Sequence, residues 1–258
     1  MRLQTGIRRY CLMGGLLGLL LIGAACGGTE SVDTSANVVA PTVVAPTLAV
    51  VATATTESNQ LALDTEPTAP IVVTAFTPAQ GEGPYYPVAK LADQDNDLTR
   101  VNDGAVAAGD ILLLNGRVFD RNGYPVAGAV VEIWQTDAQG VYLHPNDPGF
   151  ANLDPNFQGY GEAITAVDGS YQFRTILPGL YEPRPRHIHF KVKLDGVEWL
   201  TSQLYFVGDD RLGTDGLAAA AGTELAMLTL QLQPGTDNDG NPVQTAEGNI
   251  ILGNYALD

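Results

Sequence analysis

The chain has 258 residues, with 13 Lys and Arg against 29 Asp and Glu for a formal net charge of −16. That acidity argues against nucleic acid as a partner, and the length allows one large domain or two small ones. Cys11 and Cys26 are the only two cysteines, and Cys11 falls inside the N-terminal segment described next. A processed chain therefore has no internal disulfide to draw on and must depend on a buried core.

Residues 1–25 read as an export signal. Arg2, Arg8 and Arg9 precede an apolar stretch from Leu16 to Ile22, which is followed by small residues up to Cys26. The stretch is too short for a convincing membrane span. Ile22-Gly23-Ala24-Ala25-Cys26 resembles a bacterial lipoprotein cleavage site, with Gly23 standing where leucine is usual. The expectation is an extracytoplasmic protein, either anchored through a lipidated Cys26 or secreted, whose only membrane contact is that lipid. Residues 26–72 are dominated by Thr, Val, Ala, Ser and Pro with little periodicity, a composition that suits an extended tether.

Over residues 73–258 the composition changes to short apolar stretches separated by turn dipeptides. Ile111 to Phe119 leads into Asn122-Gly123, and Ala129 to Gln135 follows. Asp168-Gly169 precedes Ser170 to Phe173, and Asp195-Gly196 separates Leu194 from the stretch Trp199 to Phe206. Asn-Gly and Asp-Gly between apolar runs are hairpin signals because both residues tolerate positive φ. The spacing predicts an all-β fold, an antiparallel β-sandwich with long loops and at most one or two short helices. The one candidate helix is the Ala- and Leu-rich stretch from Gly216 to Met227.

The segment His187 to Leu194 alternates with period two, as in a half-buried strand. Ile188, Phe190, Val192 and Leu194 then face the core, while His187 and His189 share the opposite face. Two imidazoles so placed can bind one ion, and zinc, copper, iron and nickel all accept that ligand. The plain alternative is a solvated pair of surface side chains.

Seven motifs then follow one another in order. They are Gly81-Glu82-Gly83-Pro84-Tyr85-Tyr86-Pro87, Val131 to Ala138, Gly140-Val141-Tyr142, Asp154-Pro155-Asn156-Phe157, Phe173-Arg174-Thr175-Ile176, His187-Ile188-His189, and Ser202 to Asp209. In this order they resemble the intradiol ring-cleavage dioxygenases, above all the protocatechuate 3,4-dioxygenase β-subunit group, from about Thr77 to the C-terminus. The resemblance implies one mononuclear non-haem Fe(III) per chain, held by Tyr142, Tyr181, His187 and His189. It implies an ortho-diphenol and O2 as substrates, with Tyr181 leaving the metal to accept a substrate proton. Arg184 would stabilise charge developing on the ring, and Gln203 would approach substrate and oxygen. Free tyrosine ionises near about pH 10, so two phenolates need a strong cation beside them, which a trivalent metal supplies.

Several alternatives stay open. Arg184 could be a surface ion-pair residue, and Gln203 could simply lie in a strand. Tyr85 and Tyr86 either line the pocket mouth or only pack. His144 is a neighbour of the ligands or is solvent-exposed, rather than a ligand. The absence of a long helical segment before Gly81 argues against the catechol 1,2-dioxygenase type with its helical dimerisation domain. A homo- or hetero-oligomer fits the resemblance. A different reading of the same sandwich is a non-enzymatic cell-surface binding module, with Tyr181 in the core and the histidines incidental.

Overall fold

The computed structural model describes residues 69–257. The expected export signal, Cys26 and all but the last few residues of the expected tether lie outside the described residues. The described residues contain ten strands: β1 (Ile111–Phe119), β2 (Val130–Trp134), β3 (Tyr160–Ile164), β4 (Ser170–Ile176), β5 (His187–Leu194), β6 (Val197–Phe206), β7 (Thr229–Leu230), β8 (Gln233–Thr236), β9 (Pro242–Glu247) and β10 (Ile250–Ile251). They form two five-stranded sheets. One is built around β1, which pairs with β4, β9 and β10, while β8 continues from β9; the other runs β3-β2-β5-β6-β7.

The all-β expectation holds, but the sheets are mixed rather than purely antiparallel. β1 runs parallel to β9 and β10, and β6 runs parallel to β7. These parallel pairs come from strands that return over long connections, which a turn dipeptide does not announce. The β5–β6 hairpin behaves as expected, whereas Asp168-Gly169 carries the chain from β3 into β4, which lie in different sheets. Asp195 and Gly196 both take positive φ (52° and 76°), the backbone that a two-residue connection between β5 and β6 requires.

Leu112, Leu114 and Val118 alternate along the buried side of β1 and meet Ile188, Phe190 and Val192 of β5 and Leu204 of β6 in one core between the sheets. Leu194, expected in that core, is only half-buried at the hairpin end of β5. The expected helix from Gly216 to Met227 is two pieces. The α-helix α1 spans Gly216–Ala220, and a 3-10 helix over Gly222–Leu228 follows. Gly222 at φ +57° marks the break.

The largest departure concerns β5. A half-buried strand was expected, yet His187 and His189 are each only 4% exposed. Their face is covered by a strap, residues 77–86, that arrives from about a hundred residues upstream. Gln80 N–H bonds the Thr201 carbonyl on β6, and Gln203 Nε2 donates to the Gly81 carbonyl. Gly83 then lies against the His189 ring, where a Cβ would sit 3.2 Å from Cε1.

Candidate metal centre

Two residues apart on one strand face, the His187 and His189 rings lie 4.8 Å apart between centroids. Tyr142 reaches them from a tight turn after β2. The Asp137 carboxylate accepts the backbone N–H groups of Gln139 and Val141, which closes that turn. Gly140 takes φ +85°, and a Cβ there would fall 2.1 Å from the Leu180 carbonyl oxygen. Only glycine lets the turn carrying Tyr142 sit on the segment carrying Tyr181. Gly179 N–H bonding the Asp137 carbonyl and Thr136 Oγ1 bonding the Gly179 carbonyl fasten the two segments together.

All four residues expected to hold a metal therefore converge. Tyr142 and Tyr181 ring centroids are 5.5 Å apart, and Tyr142 lies 6.0 Å from His189. Tyr142 Oη is 2.9 Å from His187 Nε2. His187 Nδ1 is 2.7 Å from the Pro185 carbonyl, which can only accept, so Nδ1 carries the hydrogen and the Nε2 lone pair faces Tyr142. His189 stacks on Trp134 at 4.7 Å and 12°, and its buried Nδ1 has no hydrogen-bond partner.

Burial holds both imidazoles neutral. It lowers His187 to about 4, and it takes His189 well below the usual histidine range, with the charges of His187 and Arg184 acting in the same direction. Burial raises the Tyr142 phenol above its ordinary value, while the hydrogen bond to Tyr85, then burial, pushes Tyr181 up to about 12. Unaided, both phenols stay protonated. Among the described residues no group of three His, Cys, Asp or Glu could hold an ion, so the two-histidine, one-carboxylate set of ferrous oxygenases is absent there. The oxygen next to these histidines is phenolic, with Tyr142 Oη 2.9 Å from His187 Nε2. Two hard anionic oxygens with two neutral nitrogens suit a trivalent metal, and the unspent His189 nitrogen and preset His187 tautomer fit that requirement.

The open alternatives resolve at the neighbours. Tyr85 belongs to the site: Tyr181 Oη donates to Tyr85 Oη at 3.3 Å, and the Tyr85 ring is 5.1 Å from that of Tyr142. Tyr86 packs edge-on against Trp134, and its hydroxyl donates to Glu132 at 2.8 Å. His144 is buried rather than solvent-exposed, behind Tyr85 at 5.4 Å. Arg184 is not a surface ion-pair residue: it pairs with Asp215, yet it is half-buried and donates to Gln203 Oε1 at 2.8 Å. Gln203 is more than a strand residue, since it joins Arg184 to the strap. Sequence reasoning missed Trp134, Tyr205 and Asp215. Trp134 was the most accessible of the three, because it shares strand parity with Glu132 and pairs in register with His189.

A family model described as "Dioxygenase" matches residues 81–247. The protocatechuate 3,4-dioxygenase beta chain of Burkholderia cepacia is 39% identical over 159 residues, which is 58% of this chain and 67% of that one. The catechol 1,2-dioxygenase of Acinetobacter baylyi is 34% identical over 151 residues, 52% of this chain and 47% of that one. The match thus spans about two thirds of the first relative and about half of the second. Among solved structures, the dioxygenase domain of a dioxygenase–carbohydrate-binding fusion from Streptomyces sp. SirexAA-E superposes with a TM-score of 0.54 at 31% identity, covering 69% of this chain and 98% of that one. With that match across the strap, both tyrosine segments and the histidine strand, the chain belongs to the intradiol ring-cleavage dioxygenase family.

Proposed function

We propose that this chain is a non-haem ferric dioxygenase that opens the ring of a catechol-type ortho-diphenol between its two hydroxyl-bearing carbons, inserting both atoms of O2 to give a muconate-type diacid. The convergence of Tyr142, Tyr181, His187 and His189 carries the reading. Those four would hold the iron, whose Lewis acidity would keep the phenols and the diphenol ionised and draw electron density from the ring.

The protein's own contributions follow from placement. Tyr142 is almost fully buried and fixed against His187, so it serves as a permanent anchor. Tyr181 is half-buried, and its oxygen already meets a partner outside the cluster, Tyr85. It can accept the proton that a substrate hydroxyl gives up and rest as a phenol against Tyr85. Arg184 presents a fixed positive charge to negative charge developing on the substrate, and Gln203 holds that guanidinium from β6. Trp134 and the strap keep water from the histidines. Arg2, Arg8 and Arg9 with the apolar run before Cys26 support an exported protein, anchored by lipid at Cys26 or released.

The test is the visible spectrum of the full chain loaded with ferric ion, before and after catechol is added under nitrogen. A broad tyrosinate band that shifts with catechol and bleaches on admitting air is the expected result. A protein that takes up iron and stays colourless would remove the tyrosine ligands and the reaction with them. Tyr142→Phe should lower iron content and weaken the band; unchanged iron would exclude Tyr142 as a ligand.

A further inference from the structure

Arg184 is gripped on three sides. Nε donates to Asp215 Oδ2 at 2.7 Å, and Nη2 donates to Asp215 Oδ1 at 2.9 Å, a bidentate pair. Nη2 also donates to Tyr205 Oη at 3.2 Å, and Nη1 donates to Gln203 Oε1 at 2.8 Å. A guanidinium has five N–H donors and no acceptor. These contacts leave a single hydrogen, on Nη1, without a protein partner. Gln203 and Tyr205, which hold the guanidinium, pair in register with His189 and His187, and the Tyr205 ring lies 6.4 Å from that of His187, so Arg184 sits beside the histidine end of the donor cluster.

The grip is itself braced. Tyr205 Oη donates to Gln80 Oε1 at 2.8 Å, and Gln80 Nε2 donates to the Leu217 carbonyl at 2.8 Å. Asp215 caps α1 by accepting the Ala218 N–H at 2.8 Å. The side chains of Arg184 and Asp215 are 19% and 8% exposed, so this pair is not a screened surface contact. A long four-torsion side chain next to a reaction centre needs such a hold, because a displacement of about 1 Å can cost about 100-fold in rate.

We propose that Asp215 is a positioning residue for ring opening: its bidentate grip fixes the guanidinium plane of Arg184 so that the one unspent N–H faces substrate at the tyrosine–histidine cluster. The proposal rests on the dioxygenase reading and adds to it a residue 31 positions from Arg184 in sequence.

The test compares Asp215→Asn, Arg184→Ala and the double variant in the iron-loaded full chain, with catechol in air. Asparagine remains a good helix cap, so α1 is kept while the charge and one acceptor are lost. The expected result is a kcat about 100-fold lower in Asp215→Asn, with KM and iron content near wild type. In the Arg184→Ala background the same change should cost nothing further, because Asp215 acts only through Arg184. In the iron-free chain, the Arg184 Nε–H proton resonance should exchange slowly in the wild type and broaden in Asp215→Asn.

Wild-type kcat in Asp215→Asn, an equal loss in the Arg184→Ala background, or an unchanged Nε–H resonance would overturn the proposal. Wild-type turnover by Arg184→Ala, or no turnover of any diphenol by the wild type, would instead bring down the reading of the site, and the positioning role would go with it.

Discussion

The face of β2 and β5 turned away from the core carries two buried polar groups that behave in opposite ways. At one end lie His187, His189, Trp134, Tyr142 and Tyr181; at the other lie Glu132, Lys191 and Lys193, joined by Lys90, Tyr86, Tyr160 and Glu162. At the second end every charge is answered. Glu132 accepts from Tyr86 and Lys193, and Lys191 pairs with Glu82 and Glu198. Lys90 reaches both Tyr160 and Glu162, and Tyr160 Oη also donates to Glu162. At the first end the groups are neutral, and bonding capacity is left over. Two of the three buried side-chain atoms without a partner among the described residues, Trp134 Nε1 and His189 Nδ1, belong to rings stacked on each other there. Polarity and burial are shared by both ends, so neither one marks the site. What marks it is unspent donor and acceptor capacity in a place where leaving it unspent costs stability.

The strongest way to break this contrast is to unbalance the satisfied end. Glu132 is 2% exposed, and its carboxyl is held below the usual range: burial opposes the charge, but Lys193, Tyr86 and Lys90 outweigh it. Glu132→Ala strands Lys193 and the Tyr86 hydroxyl. Removing one partner of a buried pair costs 3–5 kcal/mol. Both lysines are about a quarter exposed and can turn to water, so the low end applies, a loss of about 3 kcal/mol in urea unfolding. Iron uptake per folded chain should not change. A loss under about 1 kcal/mol would mean that this end contributes no more than a surface cluster.

The two ends were also unequally legible in the sequence. The alternation of His187 to Leu194 and the Asp195-Gly196 turn are local patterns, and both are realised in β5 and its hairpin. The residues that resemble the family's ligands do meet. The cover over them was not legible, because the strap of residues 77–86 reaches β5 and β6 from far away in sequence and turns a half-buried strand into one buried on both faces. The burial of Lys191 was hidden for the same reason, since the strap brings Glu82 to it. Asp215 lay hidden just before the segment from Gly216 to Met227 that was expected to be one helix. Its role as cap and as Arg184 partner depends on α1 starting at Gly216, and no periodicity reports that contact.

A pH titration sharpens the contrast from the neutral end. Unfolded histidine takes its proton near about pH 6.5, whereas folded His187 takes one only near about 4. Between those values the unfolded chain binds more protons, so stability is fully present above pH 6.5 and falls as pH falls. For His187 alone the loss from neutral pH to pH 5 is about 2 kcal/mol, and His189 is shifted in the same direction. The iron-free chain should show this loss in urea unfolding at a series of pH values. A chain with both histidines changed to leucine should be flat over that window, and an equal slope in the two would place the titrating groups elsewhere.

The smallest effect is the most diagnostic, because its sign is unusual for a buried residue. His189→Leu in the iron-free chain removes an imidazole whose Nδ1 has no partner and puts a side chain of similar bulk against Trp134. Large buried side chains normally cost stability when altered, but leaving a polar atom unsatisfied itself costs about 1–3 kcal/mol. The lost ring stacking offsets part of that relief. The balance is a gain of about 1 kcal/mol in the iron-free chain, read by urea unfolding, together with loss of iron uptake. Stability gained where function is lost is the signature of a residue kept for its lone pair. A drop of about 2 kcal/mol would instead assign His189 a packing role like that of Phe190 beside it on the core face of the same strand.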